Sequence, residues 1–201
     1  MNFIPPGSPV GYRTRARKFF RNYLGTDDIP KPFGGRNKEF ALLNRWLEDK
    51  SSDRLLLTAP AGRGKSMLLV RWAANISENY TVIFIPISIR YQTNRPKTIF
   101  QVLAAHLALA TEQDLRSTPA DPAPFYYDKV NEYMEEYHGD KPLLVILDGL
   151  DEAAGFADYE GNLFPEDQIP NIKLVVSARL TASAPNAKSW LNRLGWNASG
   201  I

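Results

Sequence analysis

A glycine-rich loop restricts the folds open to this chain more than any other part of its sequence. Residues 59–66 read Ala-Pro-Ala-Gly-Arg-Gly-Lys-Ser and follow the apolar run Leu55–Leu57. When a strand ends in a tight glycine turn and continues as a helix, successive backbone N–H groups turn inward and bind an anion. A helix beginning near Gly64 adds its positive N-terminal end to that site. The sequence therefore predicts a phosphate-binding loop between a strand and a helix.

The residue types in this loop indicate a nucleotide with its metal ion. Lys65 can reach the β- and γ-phosphates, and the Ser66 hydroxyl can bind Mg²⁺. The usual pattern begins with glycine where this chain has Ala59, which is tolerated if that residue needs no positive φ. ATP or ADP with Mg²⁺ is the expected ligand. The absence of an Asn-Lys-x-Asp guanine motif after Arg179 favours ATP only weakly, and the sequence does not decide between ATP and GTP. The predicted nucleotide-binding residues of the loop are Pro60, Ala61, Gly62, Arg63, Gly64, Lys65, Ser66 and Met67.

An acidic cluster follows a second apolar run. Residues 143–147 are all apolar and lead into Asp-Gly-Leu-Asp-Glu at 148–152. The carboxyl ends of parallel strands are where α/β sheets bind ligands. Asp148 is expected to hold Mg²⁺ opposite Ser66, and Asp151 or Glu152 to orient or deprotonate the attacking water. By itself such a cluster is equally typical of an acidic cap on the next helix; its pairing with the phosphate-binding loop favours the metal site.

A third apolar run also ends in polar residues. Residues 172–176 lead into Ser177-Ala178-Arg179. At a strand end in such a sheet, Arg179 could contact the γ-phosphate and report whether it is present. The alternative is an ordinary surface arginine at the end of a strand.

Strands alternate with helical segments along the chain, which predicts an α/β fold with a parallel sheet. Pro86 cannot donate to a strand ladder, so the strand that contains it is expected at a sheet edge. The predicted strands are 55–58, 81–89, 143–147 and 172–176, and the predicted helices are 13–24, 37–47, 66–76, 96–115, 125–137 and a short one within 189–196. Asn94 is the candidate N-cap of the 96–115 helix, and the candidate buried positions of the first helix are Phe19, Phe20, Tyr23 and Leu24.

Together these motifs resemble the NACHT-type NTPases of the STAND class, signal-transducing switch ATPases that include NOD-like receptors and bacterial antiviral STAND proteins. The 148–152 segment is similar to the NACHT form of the Walker B motif, in which a small residue follows the metal-binding Asp. Most related ATPases of the additional-strand group, AAA+ enzymes included, place Glu where this chain has Gly149. Ser177-Ala178-Arg179 resembles sensor 1 of the family. The segment 33–40 is similar to a box that precedes many STAND and AAA+ cores, which implies that Gly35 and Arg36 approach the adenine side.

The resemblance implies a P-loop NTPase of three-layer α/β/α architecture with a parallel sheet in the order 5-1-4-3-2. No convincing fifth strand occurs in this sequence. The expected organisation is a basic N-terminal helix and linker at 1–32 and a NACHT-like domain at 33–201 that is incomplete at its C-terminus. The chain is then either the N-terminal part of a longer protein, which we favour, or a minimal ATPase module. The resemblance also implies that the full-length protein forms a homo-oligomer or binds a partner protein. It further implies a role in innate-immune or antiphage signalling.

Composition narrows the class of protein further. The chain has no cysteine and two histidines, which excludes disulfides, thiolate metal sites and histidine-rich metal sites. It has no apolar run of about 18 residues and no apolar signal-peptide core, so we expect a cytoplasmic protein without a membrane span. Residues 1–36 hold seven basic side chains against two acidic ones, a balance of +5. We expect this basic segment to be a solvated helix face, and favour that interpretation over a surface that binds nucleic acid or an acidic partner.

Three functions remain open from the sequence. The first is an ATP-dependent molecular switch with slow or partner-stimulated hydrolysis, in which Lys65 and Arg179 stabilise phosphate charge. The second is an AAA+-like ATPase that acts on nucleic acid, which the basic N-terminal segment supports and Gly149 opposes. The third is a scaffold module that binds nucleotide without turning it over.

Overall fold

The computed structural model describes residues 3–6, 8–26, 28–118, 120–155, 159, 163–165 and 167–196. These residues form an α/β structure in which helices separate the first three strands, and in the described residues only a 3₁₀ turn, Leu150–Glu152, lies between the third strand and the fourth. The helices are α1 (Val10–Leu24), α2 (Asn37–Glu48), α3 (Lys65–Ile76), α4 (Pro96–Ala110), α5 (Ala123–Glu135) and α6 (Ala187–Arg193). The strands are β1 (Arg54–Thr58), β2 (Thr81–Pro86), β3 (Leu143–Asp148) and β4 (Ile172–Ala178).

The four described strands form one parallel sheet in the order β1-β4-β3-β2. This confirms the predicted parallel sheet and the 1-4-3-2 part of the predicted order. β2 lies at an edge, as Pro86 requires, and its ladder ends at that residue rather than at Ile89. The register pairs Asp148 with Ser177, so the polar ends of β3 and β4 lie side by side.

The core is centred on β3 and β4. All six residues of β3 are buried, and because successive side chains point to opposite faces, both faces of the sheet are covered there. α3 packs against α1, and α4 packs against both α5 and β2. β1, at the other edge, is only half-buried and contacts α6.

Two details of α4 differ from the sequence prediction. The helix ends at Ala110 rather than at 115, because Glu112 takes a left-handed conformation (φ 56°) and Gln113 N donates to Ala108 O at 2.7 Å. The side chain of Asn94 does not cap the helix; its amide donates to Glu152 O at 3.1 Å. The residue predicted to cap α4 therefore forms a hydrogen bond between two loops instead.

The N-terminal helix α1 has an aromatic inner face and a basic outer face. Phe19 and Phe20 are buried, with ring centroids 6.2 Å and 5.5 Å from Phe84 of β2. Arg17 and Lys18 are exposed, as is Arg21 in the following turn. Phe19 and Phe20 are buried, as predicted, whereas Tyr23 and Leu24 are only half-buried.

No helix in the described part of the chain is both long enough and apolar enough to cross a membrane.

His106 in α4 gives the fold a defined acid sensitivity. Burial lowers its pKa from 6.5 to about 4, although a backbone hydrogen bond with Phe3 opposes the shift, and its Nε2 has no hydrogen-bond partner. The unfolded chain therefore takes up a proton below pH 6.5 that the folded chain resists until about pH 4. We expect the free energy of unfolding to fall by about 3 kcal/mol between these two pH values.

This pH dependence can be measured by urea unfolding at pH 7, 6, 5 and 4. His106→Asn keeps a side-chain N–H but cannot titrate in this range, so its stability curve should be flatter than that of the wild type. An equally steep curve for the variant would assign the acid sensitivity to other groups.

Candidate functional site

An open cleft lies at the carboxyl ends of β1, β3 and β4. Its volume is about 350 Å³, within the range of small-molecule sites. The three predicted clusters meet in it: the phosphate-binding loop, the acidic residues after β3 and the arginine after β4. The lining residues are Phe19, Tyr23, Gly62, Arg63, Gly64, Lys65, Ser66, Met67, Ile87, Ser88, Asp148, Gly149, Asp151, Glu152, Ser177 and Arg179.

The backbone of the phosphate-binding loop has the form that the sequence predicted. Positive φ angles occur at Gly62 (74°) and Gly64 (80°), and Ala59 is not among the residues with positive φ, so its side chain is tolerated. Gly64 is the N-cap of α3 and provides no side-chain cap, which leaves the first N–H groups of the helix free to bind an anion. The Lys65 ammonium donates to Ala59 O at 2.7 Å and lies 3.4 Å from Pro60 O, so it lies over the loop.

Asp148 is the buried carboxylate of the site. It is 2% exposed, and Ser177 Oγ donates to its Oδ1 at 2.5 Å. Burial raises the pKa of Asp148, while hydrogen bonds from Ser177 and Ser66 and the charge of Lys65 lower it. The Ser66 side chain therefore lies beside Asp148, as a metal ligand pair from these two residues requires.

Arg179 is held by both acidic residues that follow Gly149. Asp151 Oδ1 accepts from the Arg179 backbone N–H at 2.8 Å, and Asp151 Oδ2 lies 3.4 Å from Arg179 Nε. Arg179 Nη2 is ion-paired with Glu152 Oε1, and Glu152 Oε2 accepts from Ile89 N at 2.8 Å. Trp190 of α6 donates to Arg179 O at 2.9 Å. The arginine, the two carboxylates and the loop after β2 therefore form one network at the rim of the cleft.

Asp151 and Glu152 have different neighbours in the cleft. Burial lowers the pKa of Lys65, and among the charged groups that act on it Asp151 opposes that shift most. Asp151 also raises the pKa of Asp148. Asp151 therefore lies close to both Lys65 and Asp148. Glu152 also lines the cleft, and it joins Arg179 to the loop after β2.

Gly149 is required by the close approach of another loop. Its φ is 93°, and a Cβ atom there would lie 2.5 Å from Ile87 O. Its backbone N–H donates to Ser177 O at 3.1 Å and lies 3.0 Å from Ser177 Oγ. A larger residue at this position, such as the Glu of many AAA+ enzymes, is incompatible with this backbone.

Four predicted nucleotide-binding residues lie outside the lining of the cleft: Gly35, Arg36, Pro60 and Ala61. Arg36 is nevertheless tied to the loop, because its Nη2 donates to Arg63 O at 2.8 Å and its Nη1 lies 2.6 Å from Glu39 Oε1. It has a left-handed backbone (φ 65°) at the N-cap of α2, a conformation unusual for arginine. The box around Arg36 therefore contacts the phosphate-binding loop from outside the cleft.

Sequence reasoning missed the lining residues that come from other parts of the chain. Phe19 and Tyr23 were predicted only as buried residues of α1, and Ile87 and Ser88 only as part of β2. Nothing in their local sequence marks them as site residues, since the docking of α1 and the β2 loop brings them to the cleft. Ser177 was named within a polar strand end, which is the one local signal that pointed to it.

The donor set of the cleft fits Mg²⁺ bound together with phosphate. Within the described ranges, no group of three His, Cys, Asp or Glu side chains could hold a metal by itself. Mg²⁺ typically takes one or two protein oxygens and completes its shell with water and substrate phosphates. The adjacent Ser66 hydroxyl and Asp148 carboxylate, beside a loop with free N–H groups, match that requirement.

Comparison with known proteins identifies the fold and no family. No family model matches the chain, and no curated protein does. Solved structures that match include that of the Aeropyrum pernix Orc1 protein in complex with DNA, with a TM-score of 0.52 and 18% sequence identity over 87% of this chain and 47% of that chain. This chain thus spans about half the length of that protein. The likeness shows an α/β fold of the P-loop NTPase type with a parallel sheet.

Proposed function

We propose that this chain binds ATP with Mg²⁺ and hydrolyses it slowly, so that the bound nucleotide sets the state of a molecular switch. The observation that carries the proposal is the convergence of Lys65, Asp148 and Arg179, from three separate strand ends, on one cleft. A phosphate-binding loop, a buried carboxylate beside a hydroxyl, and an arginine are the groups that nucleoside triphosphate chemistry uses. The sequence contains no Asn-Lys-x-Asp guanine motif after Arg179 that would indicate GTP.

Each residue has a distinct part in this proposal. The N–H groups of residues 62–66 bind the phosphates and Lys65 adds a positive charge to them. Ser66 and Asp148 would hold Mg²⁺, which would neutralise charge that develops on the phosphate oxygens. Asp151 orients the attacking water, because it faces Lys65 and Asp148 and is itself held by the Arg179 backbone. Arg179 connects the phosphate end of the cleft to α6 through Trp190.

The proposal is tested by Lys65→Ala in an ATP-binding measurement. Wild-type protein should bind a fluorescent ATP analogue in the presence of Mg²⁺ and turn ATP over at well below one per second. Because charge-assisted hydrogen bonds contribute about 1.5–3 kcal/mol, the variant should bind at least about 10-fold and up to about 150-fold more weakly. Lys38→Ala, an exposed lysine on α2, is the control and should bind as the wild type does. Equal binding by Lys65→Ala and the wild type would contradict a phosphate site in this loop.

The finer assignment to NACHT-type STAND signalling, including immunity and oligomerisation, is part of this proposal and rests on the motif resemblance. The small residue after Asp148 is its main support: with φ 93° and Ile87 O close by, position 149 has no room for the Glu that most AAA+ enzymes carry there. A nucleotide-dependent change in sedimentation of the purified chain would support oligomerisation, and identical profiles in ATP and ADP would count against it.

A second candidate is an ATPase that acts on nucleic acid. Its support is the outer face of α1, where Arg17, Lys18 and Arg21 are exposed and, in the part of the chain that the structure describes, none is ion-paired with a carboxylate. The Orc1 structure, determined with DNA, supports the same candidate by fold alone. ATP turnover that rises several-fold with DNA, and loses that rise as salt increases, would favour this function over the switch.

A further inference from the structure

Arg36 contacts the phosphate-binding loop at one backbone carbonyl. Its Nη2 donates to Arg63 O at 2.8 Å. The guanidinium also lies against the next residue, because a Cβ atom at Gly64 would be 3.8 Å from the same Nη2. Arg63 and Gly64 line the cleft, whereas Arg36 is not among the lining residues. The arginine therefore holds the loop from its outer side and leaves the side that faces the cleft open.

The peptide group between Arg63 and Gly64 gives this contact a consequence inside the cleft. No described peptide bond is cis, and in a planar trans peptide the C=O and the N–H point in opposite directions. Because Arg63 O points outward to Arg36, the Gly64 N–H points toward the cleft. Among the described residues, no acceptor is found for this N–H. It is therefore a donor that remains available to an anion in the loop.

The backbone of Arg36 is in a conformation that an arginine adopts at a cost. Its φ is 65° at the N-cap of α2, in the left-handed region that glycine occupies without strain. Its Nη1 lies 2.6 Å from Glu39 Oε1, so the planar guanidinium connects α2 to the phosphate-binding loop. Since glycine would suit the backbone better, what arginine adds at this position is its side chain.

The charge of Arg36 is not what acts on the phosphates. Glu39, one turn away on α2, carries an opposite charge and is paired with it. The two side chains are 43% and 38% exposed, so solvent and salt screen the field of the pair. The hydrogen bond to Arg63 O is therefore the route by which Arg36 affects the loop.

We propose that Arg36 is a positioning residue for nucleotide binding, which orients the Gly64 N–H toward the bound phosphates through its hydrogen bond to Arg63 O. This inference rests on the proposed function. The effect is exerted on the phosphates and not on the base, so it applies equally to a polyphosphate without a base. It differs from the approach to adenine that the motif resemblance implies for the same residue.

The test is Arg36→Gly, with the affinities for ATP and for inorganic tripolyphosphate measured in Mg²⁺ by displacement of a fluorescent ATP analogue. Both affinities should fall by about 2- to 10-fold, the effect of one net hydrogen bond. Glycine accepts a φ of 65° without strain, so Tm should equal or exceed that of the wild type. A purely structural role for Arg36 would instead lower Tm and affinity together.

Arg36→Lys separates the hydrogen-bond geometry from the charge. Lysine keeps the positive charge but lacks the planar fork that contacts Glu39 and Arg63 O at once. It should therefore weaken ATP and tripolyphosphate by similar factors, in the same direction as Arg36→Gly. Arg45→Ala, which removes an exposed arginine from the last turn of the same helix, is the matched control and should change neither affinity.

The two ligands and the two variants decide between the alternatives. A loss of ATP affinity with unchanged tripolyphosphate affinity would assign Arg36 to the base and overturn the positioning role. Unchanged affinity for both ligands would overturn it too, as would wild-type affinity in Arg36→Lys or a wild-type protein that binds ATP but not tripolyphosphate. If Arg36→Gly did not fold, Arg36→Lys would decide the question alone. A wild-type protein that binds neither ligand would overturn the proposed function itself.

Discussion

Replacing Asp151 with asparagine should lower the rate of ATP turnover by about 10²- to 10⁴-fold, the usual contribution of a positioned acid or base. The Asp151 side chain is only 6% exposed, and its Oδ1 is fixed by the Arg179 N–H at 2.8 Å. Asparagine keeps that acceptor and the side-chain volume but loses the charge that faces Lys65. ATP affinity should therefore stay within a few-fold of wild type, so the loss appears in kcat. Single-turnover phosphate release and a fluorescent-ATP titration measure the two quantities.

Glu152→Gln is the matched control for that experiment. Like Asp151→Asn, it removes one negative charge next to Arg179. The Glu152 side chain, however, joins Arg179 to Ile89 N. We expect it to lower turnover by about 10-fold or less, through the position of Arg179. If Glu152→Gln were the more damaging change, the water-orienting role would belong to Glu152.

Replacing Gly149 with alanine should destabilise the fold by about 2–4 kcal/mol and lower Tm by about 5–15 °C. An L-residue at φ 93° is strained, and the new Cβ would lie 2.5 Å from the backbone oxygen of Ile87. The loop that carries Ile87 cannot move away freely, because Ile87 N donates to Asp148 O at 2.8 Å. Thermal unfolding followed by circular dichroism measures the effect, and Gly149→Glu should be at least as destabilising.

Gly155→Ala separates the two causes of that loss. Gly155 also has a positive φ, 64°, but a Cβ there would meet no atom of the described residues within 4 Å. It should cost only the backbone strain, about 1 kcal/mol. If both variants lost equal stability, the contact with Ile87 O would contribute nothing, and Gly149 would be explained by its φ alone.

Much of the candidate site could be predicted because its residues carry local signals. Gly62 and Gly64 supply the positive φ angles of the loop, and an apolar run before each polar cluster marks a buried strand end. In a parallel sheet these ends meet at one edge, so the lysine, the aspartate and the arginine were predicted to lie together. The structure places Lys65, Asp148 and Arg179 in one cleft.

The prediction was wrong where a local signal competed with a tertiary contact. Asn94 has the residue type of a helix cap, but its side chain binds Glu152 O in the loop after β3. The helical pattern of α4 continues past Ala110, but a left-handed turn at Glu112 ends the helix. At Asn94 the hydrogen bond to another loop replaces the local cap, and at Glu112 a local left-handed turn ends the helix before its apolar pattern does.

The sequence by itself determined the phosphate-binding loop, the buried strands and the chemistry at their ends, because these depend on backbone freedom and apolar periodicity within short segments. Only the tertiary structure decided that Asp151 and Glu152 both bind Arg179, and that Tyr23 of α1 lines the same cleft as Ser66. Those relations depend on how α1 and the loops dock onto the sheet. Docking is set by contacts between residues far apart in the chain, such as Arg71 with Tyr23 O, which no local pattern encodes.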